Sequence, residues 1–256
     1  MKSSSKTSDQ NAQSAAARFV IFTLFPEAVT PYLEASILGR ASQRGRIQTD
    51  VIPIRNFGLG KHRQVDDAPY GGGPGMVMRA DVLSDALASV GTAAPGKRRV
   101  RIFLSPQGQT LDARLAEQLA RDYDEWLLVC GHYEGVDERF VQAEVDLELS
   151  IGDFVLTGGE LAALCVVDAV SRFLPGVVGE ADSVSSDSFE YAGGLLKHAQ
   201  YTRPPVWKGK AVPEVLLSGD HARIEAWRRE EARARTLQKR PDLLSRTKRE
   251  SKGEDS

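Results

Sequence analysis

Apolar residues follow two alternating spacings along the chain, and this alternation predicts strands that are each followed by a helix. Phe19 to Phe25 is a short apolar run closed by Pro26, whereas Val29 to Arg44 carries apolar residues close to helical spacing. Further strands are predicted at Ile47 to Ile54, Val100 to Leu104, Leu127 to Cys130 and Val145 to Ile151, and further helices at Val82 to Val90, Leu111 to Arg121, Val136 to Ala143 and Glu160 to Phe173. The pattern predicts an α/β fold, a mostly parallel sheet with helices on both faces.

The pattern changes after Pro175. Val177 to Leu196 is rich in Gly, Ser and acidic residues, which is typical of a linker, and the chain from Pro213 onward has the spacing of helices. We therefore predict a disordered leader at residues 1–17, an α/β domain at 18–176, a flexible linker at 177–197 and a small helical domain with a polar tail at 198–256.

Charge is spread unevenly over the 256 residues. The net charge is −2, yet eleven Lys and Arg stand against five Asp and Glu between His221 and Lys252, so a local basic face is compatible with an acidic chain. No apolar run is long enough to cross a bilayer, and residues 1–17 lack the apolar core of a secretory signal, which predicts a cytoplasmic protein. Cys130 and Cys165 are expected to be buried reduced thiols.

Three glycine-bearing turns begin where apolar runs stop. They are Ser105 to Gln109 (SPQGQ), Gly131 to Gly135 (GHYEG) and Ser150 to Glu160 (SIGDFVLTGGE). The carboxyl ends of parallel strands meet at one edge of a sheet, where open α/β folds bind ligands. Glycine allows the backbone to approach a ligand closely, so we predict that the three turns form one site for a flat heteroaromatic group.

An adenosine-containing ligand in these turns requires an apolar slot, backbone hydrogen bonds and a carboxylate. The turns offer all three, from Leu104, Pro106, Ile151, Phe154 and Leu156, from Gly131, Gly152, Gly158 and Gly159, and from Glu134. The alternative is that they are ordinary strand-ending turns with a surface glutamate, and the residues alone leave this open.

Several common motifs are absent from the sequence. There is no GxGxxG, GxSxG or HExxH, and His62, His132, His198 and His221 do not have metal-ligand spacing. The long segment Asn56 to Met78 contains GGGPG without the Gly-Lys-Ser/Thr of a phosphate-binding loop. This segment is too long for an ordinary turn, so we expect it to be mobile until a ligand binds.

Two charged residues downstream are candidates of uncertain role on composition alone. Asp187 lies in a serine-flanked segment before an aromatic and basic run, but a solvated linker has the same composition. Arg172 ends an apolar helix, where a cation commonly caps the helix C-terminus. Both a catalytic and a purely structural role therefore stay open for each residue.

Taken together and in order, the motifs resemble the bacterial tRNA (guanine-N1)-methyltransferase family of the SPOUT superfamily. The resemblance covers Arg18 to about Leu244 and rests on KHRQVDDAPYGGGPGMVM, SPQGQ, CGHYEGVDER, SIGDFVLTGGELAAL, SRFLPGV, DSFEYAGGLL and YTRPPVWKG. It implies a C-terminal trefoil knot in the sheet domain, S-adenosylmethionine as methyl donor, the tRNA anticodon stem-loop as partner, a homodimer that shares its active sites, and Mg²⁺ as a suggested requirement.

The resemblance also implies roles for individual residues. Donor contacts would fall on Pro106, Gly108, Gly131, Glu134, Ile151, Gly152, Asp153, Phe154, Val155, Leu156, Gly158 and Gly159. Asp187 matches the proposed base and Arg172 a partner that stabilises negative charge, and tRNA contacts are expected at His62, Arg63, Asp67, Tyr201, Arg203 and Trp207. Many members carry Arg where this chain has His132, and Tyr where it has Phe154.

The implied activity is methyl transfer to N1 of the guanosine immediately 3′ of the anticodon. N1 of neutral guanine carries a proton, so a base must remove it as the new bond forms. Two alternatives stay open: another SPOUT methyltransferase that acts on ribose or ribosomal RNA, and an RNA-binding module without catalytic activity. For about half of the charges after His221, a solvated amphipathic helix explains the sequence equally well.

Overall fold

The computed structural model of the chain describes residues 16–178 and 186–244. The chain divides into two compact units, one ending at Val177 and the other beginning at Val178. Parts of the predicted leader (1–15), linker (179–185) and polar tail (245–256) lie outside the described residues. Within the described ranges, no helix is long and apolar enough to span a membrane.

The first unit is built on a five-stranded sheet. Its strands are β1 (Ala17–Thr23), β2 (Ile47–Pro53), β5 (Arg99–Thr110), β6 (Glu125–Cys130) and β7 (Leu147–Ser150), in the order β2-β1-β6-β5-β7. Every neighbouring pair is parallel, so all carboxyl ends lie at one edge. The predicted α/β class is confirmed, although β1 begins one residue before the predicted domain boundary, since Ala17 pairs with Ile47.

Six helices cover the sheet: α1 (Pro26–Leu33), α2 (Ser36–Gln43), α3 (Ala80–Ala88), α4 (Ala113–Asp122), α5 (Glu138–Glu144) and α6 (Glu160–Ser171). Side chains of a strand alternate between its faces. Accordingly, Phe19 and Ile21 of β1 belong to a core with α1, α2, α4 and α6. Val20 and Phe22 belong to a second core with α3 and α5, so helices pack on both faces.

The single helix predicted over Val29 to Arg44 is wrong, because the chain forms α1 and α2 instead. Ser36 has a left-handed φ of 50°, which interrupts the helix. Gly39 then packs so tightly that a Cβ on it would lie 2.0 Å from the Glu34 carbonyl oxygen. Both helices face the same core, which is why the apolar spacing continues across the break.

The two thiols differ from the sequence expectation in one respect. Cys130 is buried, and burial, followed by the charge of Glu160, raises the pKa of its thiol well above its usual range. Cys165 is exposed, so its predicted burial is wrong. It lies on α6 between core residues, at a position that turns toward solvent.

The segment Asn56 to Met78 has defined local structure in the described chain. It contains the antiparallel pair β3 (Asp66–Asp67) and β4 (Val77–Met78), and Leu59 bridges to Gln64. Val65 and Met78 are fully buried, which ties the segment to the second core.

The second unit contains a hairpin as well as helix. Strands β8 (Val206–Trp207) and β9 (Lys210–Ala211) pair around Lys208 and Gly209, whose φ values of 48° and 75° suit a tight two-residue hairpin turn. A 3-10 turn at Glu214–Leu217 and helix α7 (His221–Lys239) follow. The hairpin at residues 206–211 lies within the predicted small helical domain and precedes Pro213, and its two-residue strands are too short to show a strand pattern in the sequence.

Candidate functional site

The three predicted turns come together at the carboxyl edge of the sheet, where they line one cleft of about 320 Å³. The first turn contributes residues 105–107, the second contributes residues 131–135, and the third contributes residues 150, 151 and 154–159. This convergence follows from the parallel arrangement of β5, β6 and β7, because the first turn interrupts β5 and the other two turns continue the ends of β6 and β7.

The first turn is a loop that interrupts the pairing of β5 with β7. Leu104 and Gln109 of β5 both pair with Leu149 of β7, so residues 105–108 project from the ladder. The backbone N–H of Gln107 donates to Ser105 Oγ at 3.2 Å. Gly108 returns the chain against β7, and a Cβ there would lie 2.4 Å from the Leu149 nitrogen.

The second and third turns are joined directly. The N–H of Gly159 donates to the Gly131 carbonyl oxygen at 3.0 Å. A Cβ on Gly159 would lie 2.7 Å from Cys130 Cα, and one on Gly131 would lie 2.9 Å from the Phe103 ring. The two turns therefore meet at a distance that only glycine permits.

Three of the glycines have a packing role beside the expected one. Glycine is expected there for close approach of a ligand. At Gly108, Gly131 and Gly159, the space of the missing Cβ is also occupied by another segment of the protein. Gly108 packs against β7, Gly131 against the Phe103 ring and Gly159 against Cys130, so these glycines allow neighbouring segments to pack closely around the cleft. Sequence alone does not distinguish the two uses.

The cleft combines apolar and acidic surfaces. Most of the apolar wall is given by Phe103, Leu104, Pro106, Leu149, Ile151, Phe154 and Leu156. Three carboxylates also line the cleft, from Glu134, Glu138 and Glu148. Such a lining suits a ligand that has an aromatic base, hydroxyl groups and positive charge.

Most of the predicted donor-binding residues line this cleft, namely Pro106, Gly131, Glu134, Ile151, Phe154, Val155, Leu156, Gly158 and Gly159. Gly108, Gly152 and Asp153 do not line it. Gly152 shapes the third turn, because its φ is 148° and its N–H donates to Ser150 Oγ at 3.2 Å.

A buried polar cluster lies beside the cleft and was not predicted from the sequence. Glu160 is 7% exposed, and its carboxylate accepts a hydrogen bond from Thr23 Oγ1 at 2.5 Å. His132 Nε2 lies 2.9 Å and 2.8 Å from the two carboxylate oxygens. The available signal is an acidic residue directly after two glycines at a helix start.

The segment Asn56 to Met78 is bonded to the second turn. Glu134 N–H donates to the Met76 carbonyl at 3.0 Å, and Met78 N–H donates to the Gly135 carbonyl at 2.9 Å. Of the predicted tRNA-contact residues in this segment, His62 and Arg63 are exposed, and Asp67 pairs with Arg79 at 3.0 Å.

The two predicted catalytic residues lie in different units. Arg172 is half-buried at the C-terminal cap of α6, in the first unit. Asp187 belongs to the second unit, where Lys197 Nζ lies 3.2 Å from its carboxylate. Lys197 also donates to Ser186 Oγ at 3.4 Å.

The other predicted tRNA-contact residues are exposed on the second unit. Tyr201, Arg203 and Trp207 all face solvent, and Trp207 is 61% exposed. Lys208 Nζ lies 4.8 Å from the centre of the Trp207 ring, which places a cation and an aromatic surface together on the hairpin.

Residues 16–178 and 186–244 contain four histidines and two cysteines. No three His, Cys, Asp or Glu side chains in these ranges are grouped to hold a metal ion.

Almost the whole chain is similar to known proteins. Residues 17–246 match the family model described as tRNA (Guanine-1)-methyltransferase TrmD. A tRNA (guanine-N(1)-)-methyltransferase of Anaeromyxobacter sp. (strain K) is 54% identical over 226 residues, which cover 88% of this chain and 90% of that protein. Proteins of the same name from Magnetococcus marinus and Vibrio vulnificus are 52% identical over 233 residues (90% of each chain) and 50% identical over 224 residues (88% of each chain).

Proposed function

The chain belongs to the tRNA (guanine-1)-methyltransferase family, and we propose that it methylates N1 of the guanosine immediately 3′ of the tRNA anticodon. S-adenosylmethionine is the proposed donor. The observation that carries the proposal is the cleft that the three turns line at the sheet edge, with its apolar wall and its carboxylates. A cytoplasmic location follows from a tRNA substrate.

The cleft residues fit the donor chemically. Adenine suits the apolar wall formed by Leu104, Ile151 and Leu156, and its polar edge suits backbone groups of the turns. Glu134 and Glu138 offer carboxylates for ribose hydroxyls or positive charge. When bound, S-adenosylmethionine supplies a methyl group already activated by its sulfonium. Phe154 lacks the hydroxyl that many members carry, so its contribution here is apolar contact.

The chain must remove the proton from guanine N1 as the methyl group is transferred. Asp187 is the proposed base, and its carboxylate must be ionised to accept the proton. Lys197 Nζ lies 3.2 Å from the carboxylate and holds it in place. Arg172 is proposed to stabilise the negative charge that develops on guanine, since its guanidinium can donate two parallel hydrogen bonds.

The target base must leave the stack of the anticodon loop before its N1 atom can react. Tyr201 and Trp207 offer exposed aromatic surfaces for stacking, and Arg203 and Lys208 offer cations for phosphates. His62, Arg63 and Asp67 are proposed to contribute contacts from the glycine-rich segment. That segment is hydrogen-bonded to the second turn, so tRNA binding to the segment would affect the position of the second turn in the cleft.

We include in the proposal a homodimer in which a cleft of one protomer works with Asp187 of the partner subunit. Exposed apolar side chains on the first unit support an association surface, with Tyr32 48% and Leu161 60% exposed. Tyr32 and Asp168 share a hydrogen bond of 2.5 Å, so α1 and α6 are neighbours there. The C-terminal trefoil knot is proposed from the family alone.

Methyl transfer to defined tRNA transcripts tests the function. Transcripts with guanosine at the target position should accept labelled methyl from S-adenosylmethionine, and matched transcripts with adenosine there should not. A ribose methyltransferase would modify both transcripts, and an RNA-binding module would modify neither.

Mixing an Asp187→Ala chain with a Gly159→Val chain should restore up to one working site per heterodimer, and no restored activity in proven heterodimers would contradict shared sites.

A further inference from the structure

Glu160 is a buried carboxylate whose two oxygens are both engaged beside the cleft. Thr23 Oγ1 donates to one oxygen at 2.5 Å, and His132 Nε2 lies within 2.9 Å of both. The side chains of His132 and Glu160 are only 12% and 10% exposed. A buried carboxylate requires such partners, because removal from water penalises its charge.

This pair is packed directly on the third turn. A Cβ on Gly158 would lie 2.3 Å from His132 Nε2 and 2.6 Å from Glu160 Oε2. Glu160 is also the first residue of α6, immediately after Gly159, whose N–H is bonded to the Gly131 carbonyl. The imidazole and the carboxylate thus fix the separation of the second and third turns.

We propose that His132 is a positioning residue for donor binding: in its protonated form it holds Glu160, and through it the Gly158–Gly159 turn, in the arrangement that closes the cleft. The proposal rests on the proposed function, because it concerns the affinity for the methyl donor. Its consequence is that donor affinity in this chain depends on pH.

The chemistry of imidazole supplies the pH dependence. Histidine changes its charge between about pH 5 and pH 8, whereas arginine, which many family members carry here, stays charged. A neutral imidazole with its proton on Nε2 still donates to Glu160, so deprotonation weakens the contact without removing it. We therefore expect a moderate effect on affinity.

The other groups around the pair are a thiol, two aromatic rings and a hydroxyl. The Cys130 thiol on β6 interacts with Glu160, and burial raises its pKa well above the usual value, so it stays neutral. The Phe25 ring lies 5.1 Å from the imidazole, and Tyr133 lies 6.2 Å away. Glu160 is the nearest described acidic group and Thr23 is uncharged.

The test is a calorimetric titration with S-adenosylhomocysteine, which is the donor without its methyl group, at about pH 6 and about pH 8. The wild type should bind roughly fivefold to tenfold more tightly at the lower pH. His132→Arg should bind tightly at both values and His132→Gln weakly at both. His221→Arg, a matched change at an exposed histidine of the second unit, should retain the wild-type pH dependence.

Equal wild-type affinity at both pH values would overturn the inference and leave the proposed function intact. Absence of binding at either pH would overturn both. If His132→Arg does not fold, the wild type alone decides the question: by linkage it must take up protons on binding near pH 7, measured as a buffer-dependent enthalpy. No proton uptake would contradict the inference.

Discussion

The two regions that we assign to catalysis are built in opposite ways. The cleft of the first unit is made of turns that are hydrogen-bonded to each other at Gly131 and Gly159, directly before the buried Glu160. The candidate base of the second unit, Asp187, is half-exposed and is held by the flexible side chain of Lys197. The difference suggests a division of labour, in which a rigid cleft fixes the donor and an adaptable segment approaches the tRNA.

Asp187→Asn should produce the largest effect and separates the two regions most sharply. The amide keeps size and hydrogen bonding but cannot accept the proton, so single-turnover methylation should fall by about a hundredfold or more. Affinity for S-adenosylhomocysteine should be unchanged, because the cleft is intact. Methylation at a near wild-type rate would show that Asp187 is not the base.

Gly159→Val should disrupt the donor cleft and leave the candidate base, Asp187, unchanged. A Cβ there would lie 2.7 Å from Cys130 Cα, so the two turns must separate, and donor binding should weaken by more than about tenfold. Gly45→Ala is the control, since its Cβ would meet nothing within 4 Å although its φ of 65° is strained. Unchanged donor affinity in a folded Gly159→Val chain would show that the close packing of Gly159 on Cys130 does not maintain the donor cleft.

A side chain at Gly158 is also expected to disturb the packing of the turns. The sequence predicts that a side chain there would enter the ligand space, but the structure shows that it would first meet His132 and Glu160. A substitution at Gly158 is therefore expected to act by displacing the buried pair.

Arg172→Lys should have a smaller effect on methyl transfer. Lysine keeps the positive charge but loses the planar pair of donors, so we expect a fall of about tenfold in the single-turnover rate. Donor affinity measured in parallel should stay constant. If Arg172 only caps the end of α6, lysine would serve equally well and the rate would not change.

The smallest effect is expected at the sheet edge that supports β7. Arg101 donates to Asp146 at 2.8 Å, and although burial opposes it, this hydrogen bonding lowers the pKa of the Asp146 carboxyl. A lowered pKa stabilises the fold above the ordinary carboxyl range, and the contribution is lost as pH falls through the folded-state value. Asp146→Asn should lower Tm near pH 7 by about 1–3 °C, because the pair is partly exposed. An equal Tm difference at about pH 3 would contradict this origin.

The sequence predicted what depends on local pattern. Strand positions such as Phe19 to Thr23, the parallel order and the glycine turns follow from apolar runs and their endings. The partnership of Thr23 with Glu160 could not be predicted, because 137 positions separate them. The break at Ser36 and the hairpin at residues 206–211 were missed because neither disturbs the apolar spacing.

Identification of the methylated nucleoside tests the central claim most directly. The protein would be incubated with an unmodified tRNA transcript and S-adenosylmethionine carrying a deuterated methyl group, and the digested RNA would be mapped by mass spectrometry. The account predicts N1-methylguanosine as the sole labelled product, at the nucleotide immediately 3′ of the anticodon. A 2′-O-methylated ribose, a label at another nucleotide, or no label in a protein that binds the tRNA would contradict it.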